Sequence, residues 1–314
     1  MKSRILAAAA ALAVVSLPAL AEPAKVMIPA NPGGGWDGTG RLTMATLQSS
    51  GIFKDGANFT NKGGAAGTLG LADFIRDKGN DNAIMFMGVI MVGGIITNKS
   101  PVTLDQVTPL ARLTFEYNAL AVPADSPIKT AKDFAAALKK DPGKVSVGGG
   151  SAGGVDHVML ALIGKEQGVP ASKVNFVAFS GAEVVTTLAA GKLTAAISGI
   201  SELKPQADAG RIRLIAVSSE KRVPGVNVPT LKEQGINVVI GNWRGVVGAP
   251  GMSAAGRKAW LDRLDKLAKA KEWKDGLAKQ GLEDAYLSGD RFTAFLNDEK
   301  KRWATSLADL GLAK

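Results

Sequence analysis

The chain has 314 residues, 46% of them hydrophobic and 21% charged, with a formal net charge of +10, one His and no Cys. That inventory excludes a disulfide scaffold, a Cys-tethered lipoprotein and a zinc site of ordinary type. Aromatic residues make up only 5% and no basic run reaches five residues, so the charge does not read as a nucleic-acid surface. It reads as a solvated surface that also draws in anions.

Taken in chain order, the first segment has the form of an export signal. Lys2 and Arg4 precede an apolar stretch over residues 5–17, and Ala19-Leu20-Ala21 supplies a small-x-small cleavage site. The apolar stretch falls short of the ~20 residues that a membrane span needs. Residues 1–21 are therefore expected to be removed near Ala21, leaving an exported, periplasmic protein with enough chain for two lobes.

Residues 25–29 predict a strand, followed by the turn Gly33-Gly34-Gly35 and a helix carrying Leu42, Met44, Ala45 and Leu47. A second strand over 58–61 runs into the turn 62–67 and a helix through Leu69, Leu71, Phe74 and Ile75. A third strand at 83–87 leads into a buried helix, since Gly88, Gly93 and Gly94 interrupt what would otherwise be a long apolar run. This alternation argues for an α/β lobe with a largely parallel sheet. Leu120-Ala121-Val122-Pro123 predicts the crossover into a second lobe. There Thr130, with Asp133 three residues on, forms a capping box that opens a helix to Lys140.

A strand at 144–147 enters a third glycine turn, and the helix after it places Val155, Val158, Met159, Leu162 and Ile163 on one face. Strands at 175–179, 195–198 and 213–218 alternate with helices at 182–190 and 201–209, stopped by Gly191 and Gly210. Residues 238–249 predict a strand and loop returning to the first lobe. The remainder is expected to be helical, at 253–270, near 273–280 and at 288–310. No heptad seam runs through these helices, and a monomer is expected.

Four of the strand–helix junctions are glycine-rich: 31–40, 62–67, 148–154 and 180–183. A helix N-terminus presents unpaired N–H groups and the positive end of the helix dipole, and glycine lets an anion approach them closely. Charge-assisted hydrogen bonds of about 1.5–3 kcal/mol each, with ~0.3–1 kcal/mol from each dipole, allow two carboxylates to offset an association cost of ~4–15 kcal/mol. Arg244, in Asn242-Trp243-Arg244-Gly245, is either a further carboxylate clamp or a surface ion-pair partner. Gly33, Gly35 and Gly38 also fit G-x-G-x-x-G, as do Gly148, Gly150 and Gly153, but the strand at 58–61 ends without the acid that holds a ribose. No cofactor is expected. A Ser-His-Asp triad would have to use His157, and neighbouring Asp156 cannot orient it from an adjacent helical position. No pair of carboxylates stands out as an acid–base couple, so chemistry is not expected.

Several stretches resemble one family over essentially the whole mature chain: Pro32-Gly33-Gly34-Gly35-Trp36-Asp37, Asn61-Lys62-Gly63-Gly64-Ala65-Ala66-Gly67, Ala124-Asp125-Ser126-Pro127, residues 148–157, Phe179-Ser180-Gly181 and Val228-Pro229-Thr230-Leu231. It is the periplasmic solute-binding component of tripartite tricarboxylate transporters, the Bug family, and the triple glycine and Arg244-Gly245 resemble its tricarboxylate-binding branch. The resemblance implies a two-lobed type II periplasmic-binding fold, with lobe one formed by 22–122 and 238–314 and lobe two by 123–237. The implied ligand is a small polycarboxylate, citrate or a similar tricarboxylate, delivered to a membrane permease of one large and one small subunit. A dicarboxylate, an aromatic acid stacked on Trp36 or Trp243, a sensory role beside a membrane kinase and an exported Ser/His hydrolase are the alternatives. Carried over by motif, Gly33, Gly34, Gly35, Trp36, Asp37, Gly64, Ala65, Ala66 and Gly67 would meet one carboxylate. Ser151, Gly153, His157, Ser180, Gly181, Ala182 and Ser198 would come from the other lobe. Gly63 stands where the family pattern has Pro, and Ala66 where it has Gly.

Overall fold

A computed structural model of the chain describes residues 22–179 and 183–313. The expected export signal, and the candidates Ser180, Gly181 and Ala182, lie outside the described residues. Strand β1 (Ala24–Ile28) is buried at every position except Lys25, because it runs between two parallel neighbours, β2 (Ala57–Asn61) and β3 (Ala83–Gly88). β3 is buried at all six positions, as a strand covered on both faces must be. Helices α1 (Gly35–Ser49), α2 (Thr68–Phe74) and α3 (Val89–Thr97) follow the three strands in turn.

Strand β4 (Thr108–Pro123) then runs through the whole molecule. Up to Tyr117 it pairs antiparallel with β9 (Gly241–Gly248), and Ala111, Arg112, Thr114 and Phe115 on it also pair with β10 (Glu283–Ser288). From Asn118 onward it pairs antiparallel with β7 (Ala195–Gly199) and β8 (Ile212–Val217). Beyond β7 lie β5 (Ser146–Gly149) and β6 (Asn175–Ala178), parallel again. The order is β2-β1-β3-β9-β4-β7-β5-β6, with β8 and β10 also on β4.

The fold is α/β, but its sheet is mixed. The two wings are parallel, as the strand–helix alternation requires, and the centre is antiparallel because β4 and β9 cross between the wings in opposite directions. Helices α4 (Ala131–Lys140), α5 (Val155–Glu166), α6 (Glu183–Ala189) and α7 (Ile200–Asp208) belong to the second half. The capping box is present as expected: Asp133 N–H donates to Thr130 Oγ1 at 3.1 Å, and Thr130 N–H donates to Asp133 Oδ2 at 2.9 Å. Gly191 and Gly210 stop their helices at φ +69°.

The C-terminal part contains α8 (Ala254–Lys269), α9 (Lys271–Gln280) and α10 (Gly289–Asp309), which bury Trp260, Trp273 and Trp303 in the main core. Strand β10 stands where only helix or coil was expected. Its sequence, Glu-Asp-Ala-Tyr-Leu-Ser, is exposed or half-buried throughout and lacks the alternation that marks a half-buried strand.

Register decides where the turns go. Ile28 lies opposite Asn61, so β1 and β2 end together and place the turns after them side by side. In the other half Gly149 lies opposite Ala178 and Gly148 opposite Ala196, which aligns the ends of β5, β6 and β7. Crevices outside the carboxyl ends of parallel strands are where α/β sheets hold ligands.

Candidate functional site

The first wall is made of main chain. Gly34 caps α1 with no side-chain hydrogen bond, so the first-turn amides of α1 are left for another acceptor. Next to it Ala65, Ala66 and Gly67 follow one another at φ +46°, +57° and +88°. A tight turn of this kind brings successive N–H groups together at one end, and such a nest of donors suits an anion. Each alanine there costs roughly 1–2 kcal/mol. The turn is fastened from outside: Gly67 N–H donates to Gly64 O at 2.9 Å, and Thr68 Oγ1 and Asn98 Nδ2 donate to Ala65 O at 2.9 and 3.2 Å. A Cβ on Gly67 would fall 2.8 Å from the Trp36 ring, so only glycine lets the nest close on that indole.

Opposite stands the turn before α5, held by side chains from the helix it opens. Gly150 N–H donates to Asp156 Oδ2 at 2.7 Å and Gly153 N–H to His157 Nδ1 at 3.1 Å. The His157 ring stacks on Phe176 with centroids 4.5 Å apart, and burial lowers its pKa. The two walls touch through α3: Thr97 Oγ1 donates to Ala152 O at 3.3 Å, and the Gly153 carbonyl occupies the space a Cβ of Gly93 would fill.

Between the walls lies a cavity of about 350 Å³, lined by residues from both halves of the sheet. Its base is a buried charge cluster. Arg244 on β9 is ion-paired with Glu116 on β4, their side chains 3% and 1% exposed, and its Nη2 is also 3.9 Å from Glu202 Oε1. Glu116 accepts from Ser201 N–H at 3.1 Å and Ser201 Oγ at 2.6 Å; Glu202 accepts from Ser198 Oγ at 2.7 Å, and the Gly35 N–H is near enough to pull its pKa down. The pair sits in a slot between two glycines, where a Cβ on Gly35 would strike the Arg244 guanidinium and one on Gly199 the Glu116 carboxylate. Asp156 also receives Asn118 Nδ2 at 2.5 Å. Burial pushes its pKa up to about 7 against the pull of the Gly150 N–H, and the Glu202 and Glu116 charges add to the rise. Burial likewise raises the pKa of Glu202, outweighing the attraction of Arg244.

The structure thus brings Gly34, Gly35, Trp36, Gly64, Ala65, Ala66, Gly67, Ser151, Ser198 and Arg244 to one cavity wall. Gly33, Asp37, Gly153 and His157 lie behind it. Asp37 binds the Gly33 N–H at 3.0 Å, Arg41 Nε at 2.9 Å and Asn61 Nδ2 at 3.0 Å. Burial alone would raise its pKa, but those hydrogen bonds hold it below the ordinary value. Arg244 is neither a surface partner nor a free clamp, since buried carboxylates already engage it. Trp243 is packing: its Nε1 donates to Glu299 at 2.7 Å and its ring meets Phe292 and Phe295 edge-on.

Sequence reasoning placed the carboxylates on wet faces and missed two on the cavity wall, Asp156 and Glu202, and a third, Glu116, paired with Arg244 behind it. Glu116 did carry a signal, an acid between Phe115 and Tyr117 in a strand that continues into Leu120 and Val122. Glu202 carried none, because an acid in the first turn of a helix usually serves the dipole.

The profile of the tripartite tricarboxylate transporter family receptor matches residues 57–312. The chain belongs to this receptor family. A Cupriavidus necator relative, the UPF0065 protein in the gbd 5′ region, is 28% identical over 326 residues, covering 100% of this chain and 97% of its own length. Among solved structures, a Rhodopseudomonas palustris protein with adipate superposes with a TM-score of 0.85 at 20% identity, over 93% of this chain and 98% of that one. MatC from Rhodopseudomonas palustris with bound malate gives a TM-score of 0.82 at 20% identity, over 93% and 100%. At that identity both likenesses speak for the periplasmic-binding fold and not for a ligand. Among the described residues no helix is long and apolar enough to cross a membrane, and no group of three or more His, Cys, Asp or Glu side chains is placed to hold a metal ion.

Proposed function

We propose that this receptor captures a small polycarboxylate in the periplasm, between lobe one (22–122 and 238–314) and lobe two (123–237), and hands it unchanged to a membrane permease of one large and one small subunit. Cleavage near Ala21 would release it from its export signal, and β4 and β9 would act as the hinge. One observation carries the reading: the amide-rich turns at Gly34–Trp36, Gly64–Gly67 and Gly150–Ser151, from opposite halves of the sheet, line a single cavity. Preorganised N–H donors bind carboxylate oxygens without a proton transfer, and among the described residues nothing on the wall activates a nucleophile. The His157 Nδ1 is engaged by Gly153 and its ring by Phe176, which argues against a Ser/His hydrolase.

Citrate or a similar tricarboxylate is the ligand that the motif resemblance favours. Asp156 and Glu202 on the cavity wall, with Glu116 behind Arg244, favour instead a ligand with fewer charges, a dicarboxylate, the class to which malate and adipate belong. Titration calorimetry with citrate, tricarballylate, glutarate, malate, adipate and terephthalate separates these. We expect micromolar binding for at least one aliphatic acid; a panel without heat would sink the carboxylate reading.

A further inference from the structure

Of the three buried acids, Asp156 and Glu202 stand on the cavity wall and Glu116 does not; Asp156 is only 4% exposed, and Glu202 is the more accessible. Its side chain keeps 20% of its surface, against 1% for Glu116, and the residue stands on the wall. It rises from the first turn of α7, in the second half of the sheet, yet it faces groups of the first: the Arg244 guanidinium at 3.9 Å and the Gly35 N–H at the start of α1, both of which pull its pKa down. Ser198 Oγ, at 2.7 Å, fixes its other oxygen. An N–H at a helix start with an arginine behind it is where an incoming carboxylate would be expected to settle. Here the chain's own carboxylate fills that seat. Beside it the Asn242 side-chain oxygen, in a residue 4% exposed on the same wall, has no hydrogen-bond partner. This side of the cavity therefore offers acceptors and negative charge, and the opposite side offers the N–H donors of Gly64, Ala65 and Ala66.

Resting on the carboxylate reading above, we propose that Glu202 is the residue that sets the charge of the ligand. It stands in for one carboxylate between Gly35 and Arg244, so the cavity takes a dicarboxylate and rejects a third acid group. A tricarboxylate would have to place that group against Glu202, with Asp156 on the same wall and Glu116 behind Arg244, and among the described lining residues no free cation answers it, because Arg244 is already paired. Binding across the two halves would then be completed partly by the protein's own side chain, which holds α7 to α1 while the ligand spans the rest of the gap.

The test is the ratio of tricarballylate to glutarate affinity, measured by calorimetry at pH 7.5 in the wild type, Glu202→Ala and Glu202→Gln. These two acids differ by one carboxyl group on the central carbon. The wild type should favour glutarate. Glu202→Ala opens the seat and should shift the ratio toward tricarballylate by about 10-fold or more. Glu202→Gln keeps the shape and removes the charge, and should shift it in the same direction by about 3-fold or more. A purely structural Glu202 would weaken both ligands alike and leave the ratio unmoved. Should the alanine variant not fold, the isosteric glutamine variant decides alone. Ratios within about twofold of the wild type in every folded variant, or a wild type that already prefers tricarballylate, overturn the proposal while leaving carboxylate binding intact. Absence of heat from every acid in the wild type overturns the carboxylate reading itself.

Discussion

The two sides of the cavity recognise charge by different means. On the side of α1 and the 64–67 turn the donors are main-chain amides, held by left-handed residues whose strain is local and whose charge is partial. On the side of β4, β9 and α7 the groups are ionisable side chains withdrawn from water, one arginine among three acids. The amide side tolerates the absence of a ligand, since an N–H left without an acceptor in an open cleft carries only a partial charge that water can meet. The charged side cannot, because a buried charge without a partner costs several kcal/mol, so it completes itself from within. Binding is thus expected to depend on the first side, and stability and selectivity on the second.

The sharpest way to break this division is Glu116→Ala. It leaves Arg244 buried without its main partner, and we expect a loss of ~3–5 kcal/mol in urea unfolding. Replacing Glu116 and Arg244 together by Gln and Met should recover much of that loss. An equal loss in the double variant would show that the pair does more than balance charge. Next in size is Gly67→Ala. Its Cβ meets the Trp36 ring and the Met91 methyl at 2.8 and 2.9 Å, at a φ of +88°, so the nest must open. Calorimetry should show carboxylate affinity falling by about 10–100-fold, with only ~1–3 kcal/mol lost in stability.

A pH series sharpens the comparison from the charged side. Asp156 rises from an ordinary 3.8 to about 7 on folding, so the folded chain holds that proton more tightly than the unfolded chain. Its contribution is present in full below about pH 4 and is lost as pH rises through about 7. Scanning calorimetry should show Tm falling across that window, and Asp156→Asn should flatten the fall. The smallest effect belongs to His157, which touches only the back of the wall. His157→Ala removes the acceptor for Gly153 and the stack on Phe176, and about 1–2 kcal/mol of stability should go with them. In the intact protein the His157 NMR titration midpoint should lie below the ordinary 6.5.

What could be read from the sequence follows the range of the forces involved. The Thr130–Asp133 capping box, the glycine stops at 191 and 210 and the amide turns depend on residues a few positions apart, and each stands where local rules put it. Strand β4 was legible only in its last four residues. Register shifts between Pro109 and Ala111 and between Arg112 and Thr114 break the alternation before them, and its partners lie far away at 241–248 and 283–288. The charge cluster was hidden for the same reason. Glu116 and Arg244 are 128 residues apart, and Glu202 joins them from a third element. The motif resemblance reached the amide side because its glycines are contiguous. It reached Asp37 and His157 as well, whose place is behind the wall, since a motif marks residues that build a turn as readily as those that touch what the turn holds.

The most direct measurement is a crystal structure of the mature protein with the tightest-binding acid from the calorimetric panel. One carboxylate should lie within about 3 Å of the N–H groups of the Gly64–Gly67 turn, in the cavity shared with Ser151 and Arg244. A ligand seated elsewhere, for example in the cleft of about 700 Å³ lined by Tyr117, Lys204 and Lys279, would contradict the account of this cavity as the binding site.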